Sequence, residues 1–239
     1  MNTILLLTII GLILCAHGFF IKSKVKKFLI YFIIFYFIDQ FLTRAFCLPD
    51  FFVIGTQWNW TGKILSTLFS LIVILVLRKK LGDDFAFTLK QRESSLKPVL
   101  IIVSILVILG VIILWQFSSK GNPTFETHLF QLTMPGIAEE LAFRGVFLGL
   151  LNNVFGKPVK IIGAKMGWGT VVTSILFGLW HGIGFDNASN FYFNFEPILL
   201  TMIAGFILAW LRERTGSLLI PVLFHNLINE LGNIIMLIK

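Results

Sequence analysis

Eight apolar windows follow one another along the chain, near residues 2–20, 28–46, 57–77, 98–117, 127–151, 168–185, 196–211 and 217–238. A helix needs about 20 predominantly apolar residues to cross ~30 Å of hydrocarbon. Most of the windows come close to that length, and 196–211 is short. Inside hydrocarbon every backbone N–H and C=O must be satisfied within the protein, which leaves helices or closed barrels. The pattern predicts an all-α integral membrane bundle of about eight transmembrane helices. Composition excludes a soluble domain: 56% of the residues are hydrophobic and 13% charged, where about 25% charged is usual.

Basic residues fall on alternate loops. Lys22, Lys24, Lys26 and Lys27 follow the first window, and Arg78, Lys79, Lys80, Lys90, Arg92 and Lys97 follow the third. Lys157, Lys160 and Lys165 follow the fifth, and Arg212 and Arg214 the seventh. The positive-inside rule places these loops in the cytoplasm and both termini outside, in a multi-pass cell membrane. The net charge of +8 is thereby topological and gives no reason to expect nucleic-acid binding. Asn2–Phe20 has no basic residue before it and no small-residue cleavage site after it, and reads as a retained helix. Lys63 lies near one end of the third window, where it can snorkel, and Trp58 and Trp60 lie where an outer aromatic belt is expected. Cys15 and Cys47 form no metal or redox pattern. The chain reads as a single transmembrane domain, 1–239, with four N-terminal helices in 1–120 and a four-helix core in 125–238.

Chemistry concentrates in that core. Glu139-Glu140-x-x-x-Arg144 interrupts an otherwise uncharged run from Phe130 to Leu150. Each ionisable group near the middle of a membrane helix costs roughly 2.5–3.5 kcal/mol on insertion scales, so such a cluster is by default a functional-site candidate. Glu140 and Arg144 are four apart and share a helix face. Glu139 is rotated about 100° from Glu140, so one carboxylate can be ion-paired while the other faces a cavity. Pro135-Gly136 loosens the helix just before them. Phe177-x-x-x-His181 follows in the sixth window and His225-x-x-x-Asn229 in the eighth, with Asn233 continuing the row and Asn226 and Glu230 forming a second row. Together these fill the roles of a hydrolytic site. A carboxylate takes a proton from water and a histidine orients that water. A second histidine and an asparagine supply donors to an oxyanion. No Ser or Cys stands in a triad-like pattern. Glu139, His181 and His225 could also make a three-ligand zinc site, although His-Glu-x-x-His is absent. His17 and His128 sit near helix ends and read as interfacial, and Asp39 with Thr43 and Arg44 close by reads as a local polar pair, with a substrate contact as the other reading.

The ordered set Glu-Glu-x-x-x-Arg, Phe-x-x-x-His and His-x-x-x-Asn on successive membrane helices resembles the CAAX prenyl protease and bacteriocin-processing (CPBP, or Abi) family. That family of intramembrane peptidases includes the type II CAAX prenyl endopeptidases. Thr215-Gly-Ser-Leu-Leu-Ile-Pro-Val-Leu-Phe-His225 is similar to the family's lead-in to its last motif. The resemblance covers about 125–237, while the first four helices match only in number and hydrophobicity. It implies a type II CAAX prenyl endopeptidase-like fold and a glutamate-type endopeptidase that needs no cofactor; the residues alone leave zinc open. By resemblance Glu139 is the general base, His181 helps bind the water, and His225 and Asn229 are oxyanion donors. Arg144 orients the glutamates, Glu140 is the second family carboxylate, and Phe177 is packing. The implied partners are a peptide or membrane-protein substrate and the lipid bilayer, with a role in bacteriocin or signal-peptide processing or in self-immunity. The small size points to a bacterial plasma membrane. Two other classes stay open from the residues: a proton-coupled transporter using Glu139, Glu140 and His181 as a relay, and a non-catalytic membrane scaffold.

Overall fold

The charges that fall inside apolar windows must be surrounded by protein, and the fold encloses Glu139, Glu140 and Arg144 within one buried helical rod. The computed structural model describes residues 2–20, 23–45, 57–186 and 189–239. Among them the helices are α1 (Asn2–Leu14), α2 (Ser23–Ala45), α3 (Trp60–Leu81), α4 (Leu96–Phe117), α5 (Phe125–Glu140), α6 (Leu148–Phe155), α7 (Trp168–Gly182), α8 (Phe195–Thr215) and α9 (Leu219–Ile238). A π-helical segment, Leu141–Phe147, joins α5 to α6 without a break, so the described helices make eight rods. Four of them, α3, α4, α8 and α9, are long and apolar enough to cross a membrane, and α1 is apolar but shorter. Cys15 is buried just beyond α1, and Cys47 lies outside the described residues.

Every residue from Ala138 to Asn152 is buried, which is why an acidic and basic cluster is tolerated there. On one side the rod packs its aromatic rings against α2 and α7. Phe147 meets Phe32 and Tyr36 at ring-centroid distances of 5.8 and 5.4 Å, and Phe143 meets Phe177 at 5.1 Å. A second apolar cluster unites Val99 of α4 with Leu208 and Leu211 of α8 and Phe224 of α9. The outer face of α4 exposes Ile101, Ile105, Ile108, Ile112 and Ile113, an apolar surface that requires lipid. Helices α7 and α8 approach closely because Gly178 and Gly182 carry no side chain. A Cβ on Gly178 would stand 2.6 Å from the Ile198 carbonyl oxygen, and one on Gly182 would stand 2.6 Å from that of Asn194. Small residues four apart allow this intimacy between membrane helices, where shape complementarity replaces the hydrophobic effect.

The windows and helices differ in instructive places. The sixth window, 168–185, ends as a helix at Gly182, whose carbonyl takes the Asn194 N–H at 2.8 Å. Ile183–Phe185 then pairs as a strand with Phe191–Phe193. A second short hairpin pairs Val159–Ile161 with Ala164–Met166. The seventh window, expected to stop at residue 211, runs on to Thr215. Hydropathy ends it at Arg212, yet Arg212 and Glu213 are buried and paired within the protein. Arg212 pairs with Glu213 and donates to the Asp84 carbonyl, and Glu213 also accepts from Asn152 at 2.7 Å and Lys157 at 3.3 Å. Trp58 and Trp60 do not form a free aromatic belt. Their indole N–H groups donate to Thr127 and Glu126, each at 3.1 Å, and their rings pack on Phe130. That contact docks the start of α3 onto α5.

Candidate active site

Pro135 lacks an N–H, so α5 cannot close its hydrogen-bond ladder there. Asn226 of α9 repairs the opening: its Oδ1 accepts the Gly136 N–H at 2.7 Å and its Nδ2 donates to the Thr133 carbonyl at 3.2 Å. Glu230, one turn on, pairs with Nδ1 of His128 at 2.5 Å and accepts from Asn233 at 3.2 Å. His128 is therefore a helix-to-helix contact and not merely an interfacial residue. The second polar row of α9 is thus spent on holding α5, and the first row, His225 and Asn229, lines a cavity of about 790 Å³.

The turn into α9 fixes where His225 points. Gly216 takes a left-handed conformation (φ +72°) that ends α8, with its N–H on the Arg212 carbonyl at 2.8 Å. Only glycine adopts that conformation without steric cost. Ser217 donates its hydroxyl to the Thr88 carbonyl and accepts the Leu219 N–H at 3.1 Å, starting α9. Pro221 falls in the first turn, where an N–H would find no helical partner in any case.

The two adjacent carboxylates meet different neighbours. Glu140 is fully buried, and its Oε1 accepts from Arg144 Nη1 at 3.1 Å and from His225 Nδ1 at 2.8 Å. Arg144 also donates to the Gly205 carbonyl at 3.1 Å and lies 4.2 Å from the centroid of the Phe177 ring. Glu139 lines the cavity. Its Oε1 accepts from Lys63 Nζ at 2.5 Å. Its Oε2 is buried without a hydrogen-bond partner among the described residues, and it faces Nε2 of His181 at 4.0 Å and Nε2 of His225 at 3.9 Å. Both imidazoles have their orientation set from behind. His181 Nδ1 lies 2.7 Å from the Phe177 carbonyl, which can only accept, so Nδ1 carries the proton. His225 Nδ1 is placed likewise against Glu140. Phe177, expected to be packing, therefore also supplies the carbonyl that orients His181.

Six residues singled out from the sequence, Glu139, Glu140, Arg144, His181, His225 and Asn229, are brought into one neighbourhood around this cavity. The sequence reading missed Lys63. Far from snorkelling, it is buried, and its ammonium lies on Glu139 and 4.5 Å from the centroid of the Trp180 ring. A charge inside an apolar window was the available signal, and the rotation that turns it inward was not. Thr43 and Arg44 of α2 also line the cavity, so the site draws on helices outside the last four. Asp39 keeps local partners within α2, its carbonyl accepting from Thr43 at 2.7 Å and its Oδ2 from Gln40 at 3.5 Å, and its Oδ1 also accepts from Ser66 of α3 at 2.5 Å.

The sequence profile described as type II CAAX prenyl endopeptidase Rce1-like matches residues 122–231. Residues 122–231 form an Rce1-like domain. The match begins just before α5 and ends within α9, so it takes in all six motif residues and leaves out Lys63. No curated protein and no solved structure matches the chain. At family level the Rce1-like domain implies a CAAX-type membrane protease.

A resident zinc ion fits this Rce1-like site poorly. Tetrahedral ligands about 2.0–2.2 Å from zinc stand roughly 3.3–3.6 Å apart. Glu139 Oε2 is 3.9–4.0 Å from the two Nε2 atoms, and the Lys63 ammonium already holds the same carboxylate. Among the described residues no three His, Cys, Asp or Glu side chains group as metal ligands.

Proposed function

We propose that the protein is a glutamate-type intramembrane endopeptidase that hydrolyses a membrane-associated peptide or protein within the bilayer. The observation that carries this is the orphaned Oε2 of Glu139, facing two imidazole Nε2 atoms at 3.9 and 4.0 Å. Separations of that length suit a bridging water, not a direct hydrogen bond. In this reading the water gives a proton to Glu139 Oε2 while His181 Nε2 orients it, and its oxygen attacks the scissile carbonyl carbon. The oxyanion that forms takes hydrogen bonds from Asn229 and His225. Because His225 Nδ1–H is committed to Glu140, Nε2 donates only when the ring carries both protons. Glu140 behind the ring and the oxyanion in front of it offset the positive charge of that form. Glu139 then passes its proton to the leaving amine as the C–N bond breaks. No acyl-enzyme forms.

Apolar side chains of α8 and α9, among them Leu200, Ala204, Phe224 and Ile228, make one wall of the cavity and suit an extended apolar peptide. With the basic loops in the cytoplasm and both termini outside, a bacterial plasma-membrane enzyme acting on a bacteriocin-like or signal peptide is the fitting setting.

Membranes from cells making wild-type or Glu139→Gln protein at equal abundance test the proposal when new peptide termini are mapped by mass spectrometry. Termini found only with the wild type support a protease and identify its substrates; identical profiles in a host that supplies the natural substrate would sink it. Turnover of such a substrate should survive a strong zinc chelator unchanged. Activity lost to the chelator and restored by added zinc would contradict the metal-free reading.

A further inference from the structure

Resting on that reading, we infer that Lys63 of α3 is a positioning residue that holds Glu139 with Oε2 turned toward the two imidazoles. Glu139 has two oxygens and a side chain of three rotatable bonds, so something must decide which oxygen meets the water. Lys63 Nζ takes Oε1 at 2.5 Å, and Oε2 is left as the oxygen that faces His181 and His225.

Among the described residues, nothing within 122–231 supplies this anchor. Arg144 is occupied by Glu140 and the Gly205 carbonyl, and Lys157 is engaged at Glu213. Lys63 is itself well determined. It is the fourth residue of α3, a helix begun by Asn59, whose Oδ1 accepts the Gly62 N–H at 2.9 Å and whose Nδ2 donates to the Thr43 carbonyl at 2.7 Å. Trp58 and Trp60 dock the same segment on Phe130 of α5. The ammonium lies 4.5 Å from the centroid of the Trp180 ring, a face that attracts a cation. One turn further along α3, Ser66 donates to the side chain of Asp39 and ties the helix to α2. A lysine kept in the bilayer only for packing would need none of this; here the N-terminal helices complete a site whose carboxylates and imidazoles lie on α5, α7 and α9.

The test uses the full-length protein in lipid nanodiscs and a peptide substrate taken from the mapped termini, with kcat, KM and thermal midpoint measured for each variant. Lys63→Met, nearly isosteric without the charge, should lower kcat about 10–10²-fold, the loss expected when a reacting group is misplaced by about 1 Å. KM should stay within about threefold of wild type, as expected of a residue that acts through Glu139 and not on the peptide. Lys63→Arg, which keeps a cation in reach of Oε1, should hold kcat within about tenfold of wild type. A folded Lys63→Met protein with wild-type kcat overturns the inference, and so does a loss confined to KM. If Lys63→Met does not accumulate, Lys63→Arg decides: a folded Lys63→Arg protein as slow as Glu139→Gln overturns it. Failure of the underlying reading is distinct, since Glu139→Gln would then retain turnover whatever Lys63 does.

Discussion

Glu139→Gln is expected to reduce kcat by about 10²–10⁴-fold, the range that a general base contributes. The substitution changes one oxygen to an amide nitrogen and leaves the volume alone. The new amide would still offer its carbonyl oxygen to Lys63, so the helix contacts persist; what disappears is the ability to accept a proton at the atom facing His181 and His225. Single-turnover assays with the mapped peptide measure the chemical step directly, and elution profile and thermal midpoint report the fold. A variant that cleaves within about threefold of wild type would remove Glu139 from the mechanism altogether.

Arg144→Leu should have the largest effect on the fold. Breaking a buried ion pair by deleting one partner costs about 3–5 kcal/mol, because the remaining charge has no compensation. Here the deletion strands the fully buried Glu140, takes the added side-chain donor from the Gly205 carbonyl, and removes the guanidinium lying over the Phe177 ring. Arg144→Lys should recover little. An ammonium has one nitrogen where the guanidinium reaches two separate acceptors with two. The readout is the fraction of protein that elutes as a single species in detergent and its melting midpoint. A monodisperse Arg144→Leu protein that melts within a few degrees of wild type would show that the pair is not structural.

Much of the architecture could be read in the chain because a bilayer leaves few choices of backbone. The apolar windows mark the rods to within a few residues at most ends, and the spacing of Glu140 and Arg144 anticipates their pairing. What hydropathy could not convey is direction. Arg212, Glu213 and Lys63 all look like residues seeking water, and all three turn inward to partners within the protein: Lys63 to Glu139 of α5, Glu213 to Asn152 of α6, and Arg212 to Glu213 beside it and the Asp84 carbonyl. The π-helical segment after Glu140 was also hidden, since it shifts the ladder by one residue without any change of composition. Proximity of Glu139 to both histidines required three helices to be placed in azimuth as well as in order, and no periodicity within a single helix encodes that.

The left-handed turn at Gly216 and the tether of Ser217 to Thr88 fix the first residue of α9 in space. From that origin every residue added to a helix turns the next side chain by about 100°, so the segment between Ser217 and His225 works as a dial. Its length, more than its chemistry, decides which way the imidazole looks. The same rotation carries Asn226 to the break in α5, and the two outcomes cannot be adjusted separately. Substitutions along this stretch are therefore cheaper for the protein than a single insertion or deletion, which would turn the imidazole away from Glu140 and undo the repair of α5 in one step.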